Sequence, residues 1–174
     1  MGKSAARWRL CVHAEGAQGL KAASGLKALD AEPDPYVVFV LGGVKKQCAH
    51  VDNVPALQYF TWPDARAEFE IREEAELLQA SLIVHVKDKD ALMDRYIGGA
   101  SIPLSPLYAT RQGDLLCQSK FFTLEFSDEK LKTRKPSGEI KLTISVIDTT
   151  KKKEELLAPP VSAVEGRAET NRKS

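Results

Sequence analysis

The chain has 174 residues, is 43% hydrophobic and carries a net charge of +1, which suits one domain with a sizeable core and some residues to spare. So balanced a charge argues against a nucleic-acid partner, which selects for a clearly basic surface. No run approaches the ~18 apolar residues of a bilayer span, and the N-terminus lacks the apolar core of a signal peptide. Three widely spaced cysteines, Cys11, Cys48 and Cys117, fit a reducing compartment better than a disulfide framework. The chain reads as cytoplasmic. Ala6 stands where an N-myristoylation signal wants Ser or Thr.

In chain order, residues 1–6 are expected to be a flexible N-terminus, 7–148 a domain and 149–174 a disordered tail or linker. Trp8, Leu10, Val12 and Ala14 alternate with polar neighbours, the period of a half-buried strand. A loop carrying Asp30 leads to Asp34-Pro35, where the fixed proline φ sets the exit into an aromatic and β-branched strand at 35–41. Gly42-Gly43 predicts a tight hairpin to a strand at 45–51. Another strand follows at 66–71, then one helical turn at Glu73–Leu78, too short to stand alone. Leu82, Val84 and Val86 alternate again and end in Asp88-Lys89-Asp90. Strands at 96–103, 119–126 and 140–146 complete eight, with a helix start at Ser105-Pro106-Leu107-Tyr108. Eight short strands predict an all-β fold, an antiparallel Greek-key sandwich. Trp8 and Trp62 read as core or strand-edge anchors rather than stacking platforms for nucleic acid.

Two acidic groups sit where a buried strand meets a loop. Carboxylates from two distant loops that converge at one end of a sandwich make a site for a hard cation such as Ca2+. The candidates are Asp34, Asp88, Asp90, Asp94 and Asp30, and five such groups close together repel one another without a cation. The other reading of the same residues is structural: Asp34 caps the turn before Pro35, and Asp88-Lys89-Asp90 is a solvated turn. Ala91-Leu92-Met93 forms an apolar tip between Asp90 and Asp94. Leu92 and Met93 either enter a lipid headgroup boundary or fold back on the sandwich.

Other constellations carry less. Cys11-x-His13 and Cys48-x-His50 each put a thiol and an imidazole on one strand face, a zinc pattern only if those strands meet. Gly42-Gly43 lacks the Lys-Ser/Thr and helix of a phosphate loop. The lysines of Lys151-Lys152-Lys153 read as a solvated charge run. No arrangement argues for an enzyme.

Asp34-Pro35-Tyr36-Val37, followed by Asp88-Lys89-Asp90, Tyr96-Ile97-Gly98 and Ile102-Pro103-Leu104, resembles the C2 domain family over roughly residues 7–148. Ala17-Gln18-Gly19-Leu20 is similar to the exit of the family's opening strand, and Gly138–Leu142 to a closing strand. The strand order resembles the circularly permuted variant. The resemblance implies an eight-stranded β-sandwich whose loops hold Ca2+ and dock on anionic phospholipid, with Leu92 and Met93 at the membrane. It also brings Leu26, Leu29, Lys21 and Lys27 of the first loop, and Lys45 and Lys46 of a strand, as lipid contacts. The chain departs from the family pattern in three places. Asp30 lies nearer to Asp34 than the family's first aspartate, the Asp88–Gly98 segment is shorter, and Arg95 stands where the last ligand falls. The alternative is therefore a Ca2+-independent C2 domain with a degenerate calcium site that binds a protein partner or scaffold.

Overall fold

The computed structural model describes residues 6–20, 32–55, 57–109, 115–128 and 133–150. Its strands are β1 (Trp8–Gln18), β2 (Pro35–Leu41), β3 (Val44–Gln47), β4 (Phe60–Thr61) and β5 (Arg66–Ile71), followed by β6 (Ser81–Asp88), β7 (Arg95–Pro103), β8 (Leu115–Asp128) and β9 (Thr133–Asp148). Helix α1 (Glu74–Gln79) precedes β6 and α2 (Leu104–Ala109) follows β7. The period-two patterns become faces. Trp8, Leu10, Val12 and Ala14 are buried in β1, and Leu82, Val84 and Val86 in β6. Burial covers nearly all of β2, whereas all four residues of β3 are exposed; β2 lies inside a layer and β3 at its edge.

All strand pairs are antiparallel, and the order runs β3-β2-β6-β7-β8-β9-β1, with β4 and β5 sharing the far edge of β1. This sheet curls over on itself into the two layers of a sandwich, the predicted class. The layers join through a single paired position, Gly99 with Glu125, beside an irregularity at Leu124/Glu125. Such a break in the ladder bends a strand and lets it serve both layers. Gly98 at this joint has no room for a side chain, because a Cβ there would lie 2.0 Å from the Ser137 hydroxyl oxygen. One core cluster spans both layers, from Leu10, Phe69 and Ile144 on one side to Phe39, Val84 and Ile97 on the other. Trp8 and Trp62 belong to it.

The differences from the sequence expectation have local causes. Gly42 and Gly43 turn the β2–β3 hairpin at φ of +55° and +82°, as the tight turn requires. β3 stops at Gln47, short of the predicted 51. Beyond it the chain still donates to β2, from Cys48 N to Val37 O (3.0 Å) and Val51 N to Pro35 O (3.1 Å), but without a regular ladder. The two-residue β4 carries too little pattern to be read from sequence. β8 and β9 run longer than predicted because they pair with each other from Leu115–Ile147 to Asp128–Thr133, past the hydrophobic stretch that announced them. Both helices form where expected. They pack together, with Leu77 and Leu104 fully buried, Tyr108 donating to Glu74, and Trp8 edge-on to Tyr108 at 5.5 Å.

Strand polarity positions the site. β1 ends at Gln18, β2 begins at Pro35, β6 ends at Asp88 and β7 begins at Arg95. Pro35 pairs with Asp88, which pairs with Arg95. The loop between β6 and β7 and the start of β2 therefore share one end of the sandwich.

Candidate functional site

The two acidic segments meet. Asp34 N donates to Asp88 Oδ1 at 2.8 Å across 54 positions of sequence, and Lys89 N donates to Asp34 O at 3.0 Å. Register alone forces this contact, since Asp34 directly precedes β2 while Asp88 ends β6 and Lys89 follows it, and the two strands pair. Asp34 Oδ1 in turn accepts Asn53 N at 2.6 Å, tying down the segment after β3, where Asn53 has a φ of +53°. Asparagine is among the few residues that take this conformation at low cost. Asp34 thus does cap a turn, as the structural reading expected, and it also sits at the junction of two loops.

Asp90 and Asp94 are held by cations and by a phenol. Asp90 Oδ2 pairs with Arg95 Nη2 at 2.9 Å, while its Oδ1 accepts Leu92 N at 3.2 Å. Asp94 Oδ2 accepts the Tyr36 hydroxyl at 2.6 Å, and Lys89 Nζ lies 3.3 Å from Oδ1. Asp94 Oδ1 also accepts Asp90 N at 3.3 Å, which closes the loop on itself. The Tyr36 donor holds the Asp94 carboxyl below its ordinary range. Burial and the Asp94 carboxylate push the Tyr36 hydroxyl up to about 12. Asp88 moves the other way, raised by burial against the opposing effect of the Asp34 N–H.

Ca2+ wants six to eight oxygens at roughly 2.3–2.6 Å. Asp34, Asp88, Asp90 and Asp94 each already have an oxygen committed to an N–H, a phenol or a side-chain cation. Among the described residues no group of three or more His, Cys, Asp or Glu is gathered so as to hold a metal ion. In this arrangement the Asp34, Asp88, Asp90 and Asp94 oxygens turn to N–H groups, the Tyr36 hydroxyl and the Lys89 and Arg95 side chains. Asp30 lies outside the described residues, as do Lys21, Leu26, Lys27 and Leu29.

The tip between these aspartates points outward. Leu92 is 98% exposed and Met93 76%, so neither folds back on the sandwich. Lys45 and Lys46 lie elsewhere: on β3 they pair with Val40 and Phe39, well along β2 from Pro35, and Lys46 Nζ sits 5.5 Å from the centre of the Phe69 ring. The two thiol–imidazole pairs are engaged separately. Cys11 Sγ faces Glu68, Cys48 Sγ faces Arg66 O and His50 pairs with Asp52 at 2.9 Å. Burial pushes both thiols up, away from the thiolate a metal needs. Sequence reasoning missed Tyr36, Lys89 and Arg95 as partners of the aspartates. Tyr36 carried a signal, as the aromatic directly after Asp34-Pro35, but its Asp94 partner lies 58 positions away.

The Tyr36–Asp94 bond predicts an acid-sensitive loop. Because the folded carboxyl is depressed, its contribution is complete above the ordinary value near 3.9 and is lost as pH falls through the lowered folded value. Stability followed by acid titration should decline across that window in the native chain. Tyr36→Phe should show a shallower decline, and an unchanged slope would mean that the bond is not made in solution.

The family model described as C2 domain matches residues 8–119. No curated protein matches the chain in sequence. Among solved structures, it is similar to the calcium-bound pair of C2 domains from extended-synaptotagmin 2, with 20% identity, TM-score 0.62, and coverage of 89% of this chain and 52% of that one. A single C2 domain of plant extended synaptotagmin 1 is 18% identical at TM-score 0.55, covering 80% of this chain and 93% of that one. Human GIVD cytosolic phospholipase A2 is 19% identical at TM-score 0.59, covering 86% of this chain and 17% of that one. The match thus spans about half of the two-domain synaptotagmin structure and a smaller part of the phospholipase. At these identities the likeness carries the sandwich fold alone. No helix among the described residues is long and apolar enough to cross a membrane.

Proposed function

The chain belongs to the C2 domain family, and from that premise we propose that it is a membrane-targeting module that docks on anionic phospholipid without a bridging Ca2+. The observation that carries this reading is the pair Leu92 and Met93, exposed at the tip of a loop whose flanking aspartates are neutralised by the chain's own Lys89 and Arg95. Two large apolar side chains held in water are costly to leave there and gain on entering a headgroup boundary. A metal ordinarily cancels carboxylate repulsion before such a loop can approach phosphate. Here one ammonium and one guanidinium supply the opposite charge. The module binds rather than catalyses, and it works as a peripheral membrane protein on the cytoplasmic side.

Sedimentation with phosphatidylserine vesicles tests the reading. Pelleting should be the same in millimolar Ca2+ and in chelator, and millimolar Ca2+ should leave the melting temperature unchanged, since a ligand of the folded state must raise it. A Ca2+-dependent rise in both would restore the calcium-bridged mechanism that the family resemblance implies. Failure to pellet under either condition would favour the protein-interaction reading. That alternative draws on a second surface, the exposed Tyr59 and Phe121 rings that meet edge to face at 6.3 Å.

A further inference from the structure

We propose that Leu57, Tyr59 and Phe121 form a second membrane contact, which sets the tilt at which the domain lies on the bilayer. The assignment rests on the reading that Leu92 and Met93 enter a lipid surface, and it adds the face that comes down beside them.

The chain after β3 leads to this contact. It runs along β2, with Val51 N donating to Pro35 O at 3.1 Å and Val54 N to Pro33 O at 2.9 Å. It then crosses to the other layer, where Phe60 pairs with Ala17 near the end of β1. The crossing therefore lies at the end of the sandwich that carries Asp34 and Asp88. Asp34 holds both loops, since its Oδ1 accepts Asn53 N and its carbonyl accepts Lys89 N. A broad surface that receives one loop also faces the other.

What stands on the crossing is apolar. Gln58 N donates to Pro55 O at 3.3 Å and closes a turn with Leu57 in third place at φ +64°. A turn that needs positive φ there ordinarily carries Gly or Asn, because a bulky side chain is strained in that conformation. Leu57 is also 62% exposed, so the fold gains neither a relaxed backbone nor buried area from it. Such an outlier points to a use outside the fold. Two residues on, the Tyr59 ring lies over Gly16, where a Cβ would come 2.8 Å from a ring carbon. It meets Phe121, which pairs with Lys141 and so stands level with Gly16. Of the seven large hydrophobic side chains exposed among the described residues, five belong to these two groups. Scattered apolar side chains need no explanation, but a concentration at one end marks an interaction surface.

Continuity with Leu92 and Met93 selects lipid as the occupant. Tyrosine suits it, since an apolar ring with a polar tip settles at headgroup level. The charges beside the rings close on one another, Lys141 with Glu15 at 2.8 Å and Gln18 with Glu139 at 2.9 Å. Among the described residues, this face thus offers no ionic pattern for a particular protein to match.

Phe121→Trp in the full chain tests this on vesicles of phosphatidylserine and phosphatidylcholine, with and without brominated acyl chains. Trp8 and Trp62 are buried, so a change in emission on binding reports the surface indole. The emission should shift to the blue on binding and be quenched by the brominated lipid. Leu57→Gly with Phe121→Thr should lower vesicle affinity roughly fivefold, because each ring or leucine is only partly freed from water by the contact. The melting temperature should hold, since glycine relaxes the turn. Unmoved emission or unchanged affinity, in a chain that pellets, overturns the second contact alone and leaves the two rings to a protein partner. A native chain that does not pellet overturns the membrane reading and this contact with it.

Discussion

Replacing Leu92 and Met93 together with serine should lower partitioning onto phosphatidylserine vesicles by about a hundredfold. Each side chain is worth on the order of 1.5 kcal/mol when taken out of water, and ~3 kcal/mol together is two decades in a binding constant. Both are so exposed, at 98% and 76%, that the folded state gains little from them. The variant should melt within the small range typical of surface substitutions, about 0.5 kcal/mol. That separation is what makes the experiment decisive. If the variant keeps its melting temperature and also keeps its vesicle affinity, the tip is not the anchor. The residual binding should weaken with salt, because what remains after the apolar term is removed is electrostatic and screened.

Phe39→Ala should be the most damaging single change to the fold. Phe39 is completely buried in β2, and the neighbours of β2 in the sheet, β3 and β6, lie on either side of it. Removing a buried phenyl ring costs about 3–5 kcal/mol from lost transfer energy and the cavity left behind. For a domain of this size that lowers the melting temperature by roughly 10 °C or more. Urea denaturation should show the midpoint falling with the slope unchanged. A loss below about 1 kcal/mol would mean that the two layers do not pack through this position. The effect should reach the site too, since Pro35 at the start of the same strand fixes Asp34 against Asp88.

The fold was legible because its signals are local. Alternation in β1 and β6 shows directly in the residues, and Gly42-Gly43 marks its hairpin without reference to anything distant. Even the convergence of Asp34 with Asp88 followed from strand ends alone. What the residues do after converging was not legible. Arg95 was visible as a departure from the family pattern, but its pairing with Asp90 depends on how a short loop between β6 and β7 closes. The Tyr36–Asp94 bond depends on a side chain reaching from another strand. Sequence counts carboxylates; it does not show which of their oxygens are already taken. The expectation that repulsion among them implies a metal overlooked Lys89, which lies between Asp88 and Asp90 in the chain and pairs with Asp94. The direction of Leu92 and Met93 was likewise open, since an apolar tip reads the same whether it folds inward or projects.

The charges that quiet this loop are covalently part of it. A metal ion comes and goes with its concentration, so a domain that needs one waits for a pulse before it can land. Lys89 and Arg95 never leave. Under the proposed reading, occupancy of the membrane would track the local density of acidic lipid alone, making the domain a standing address label rather than a timed trigger.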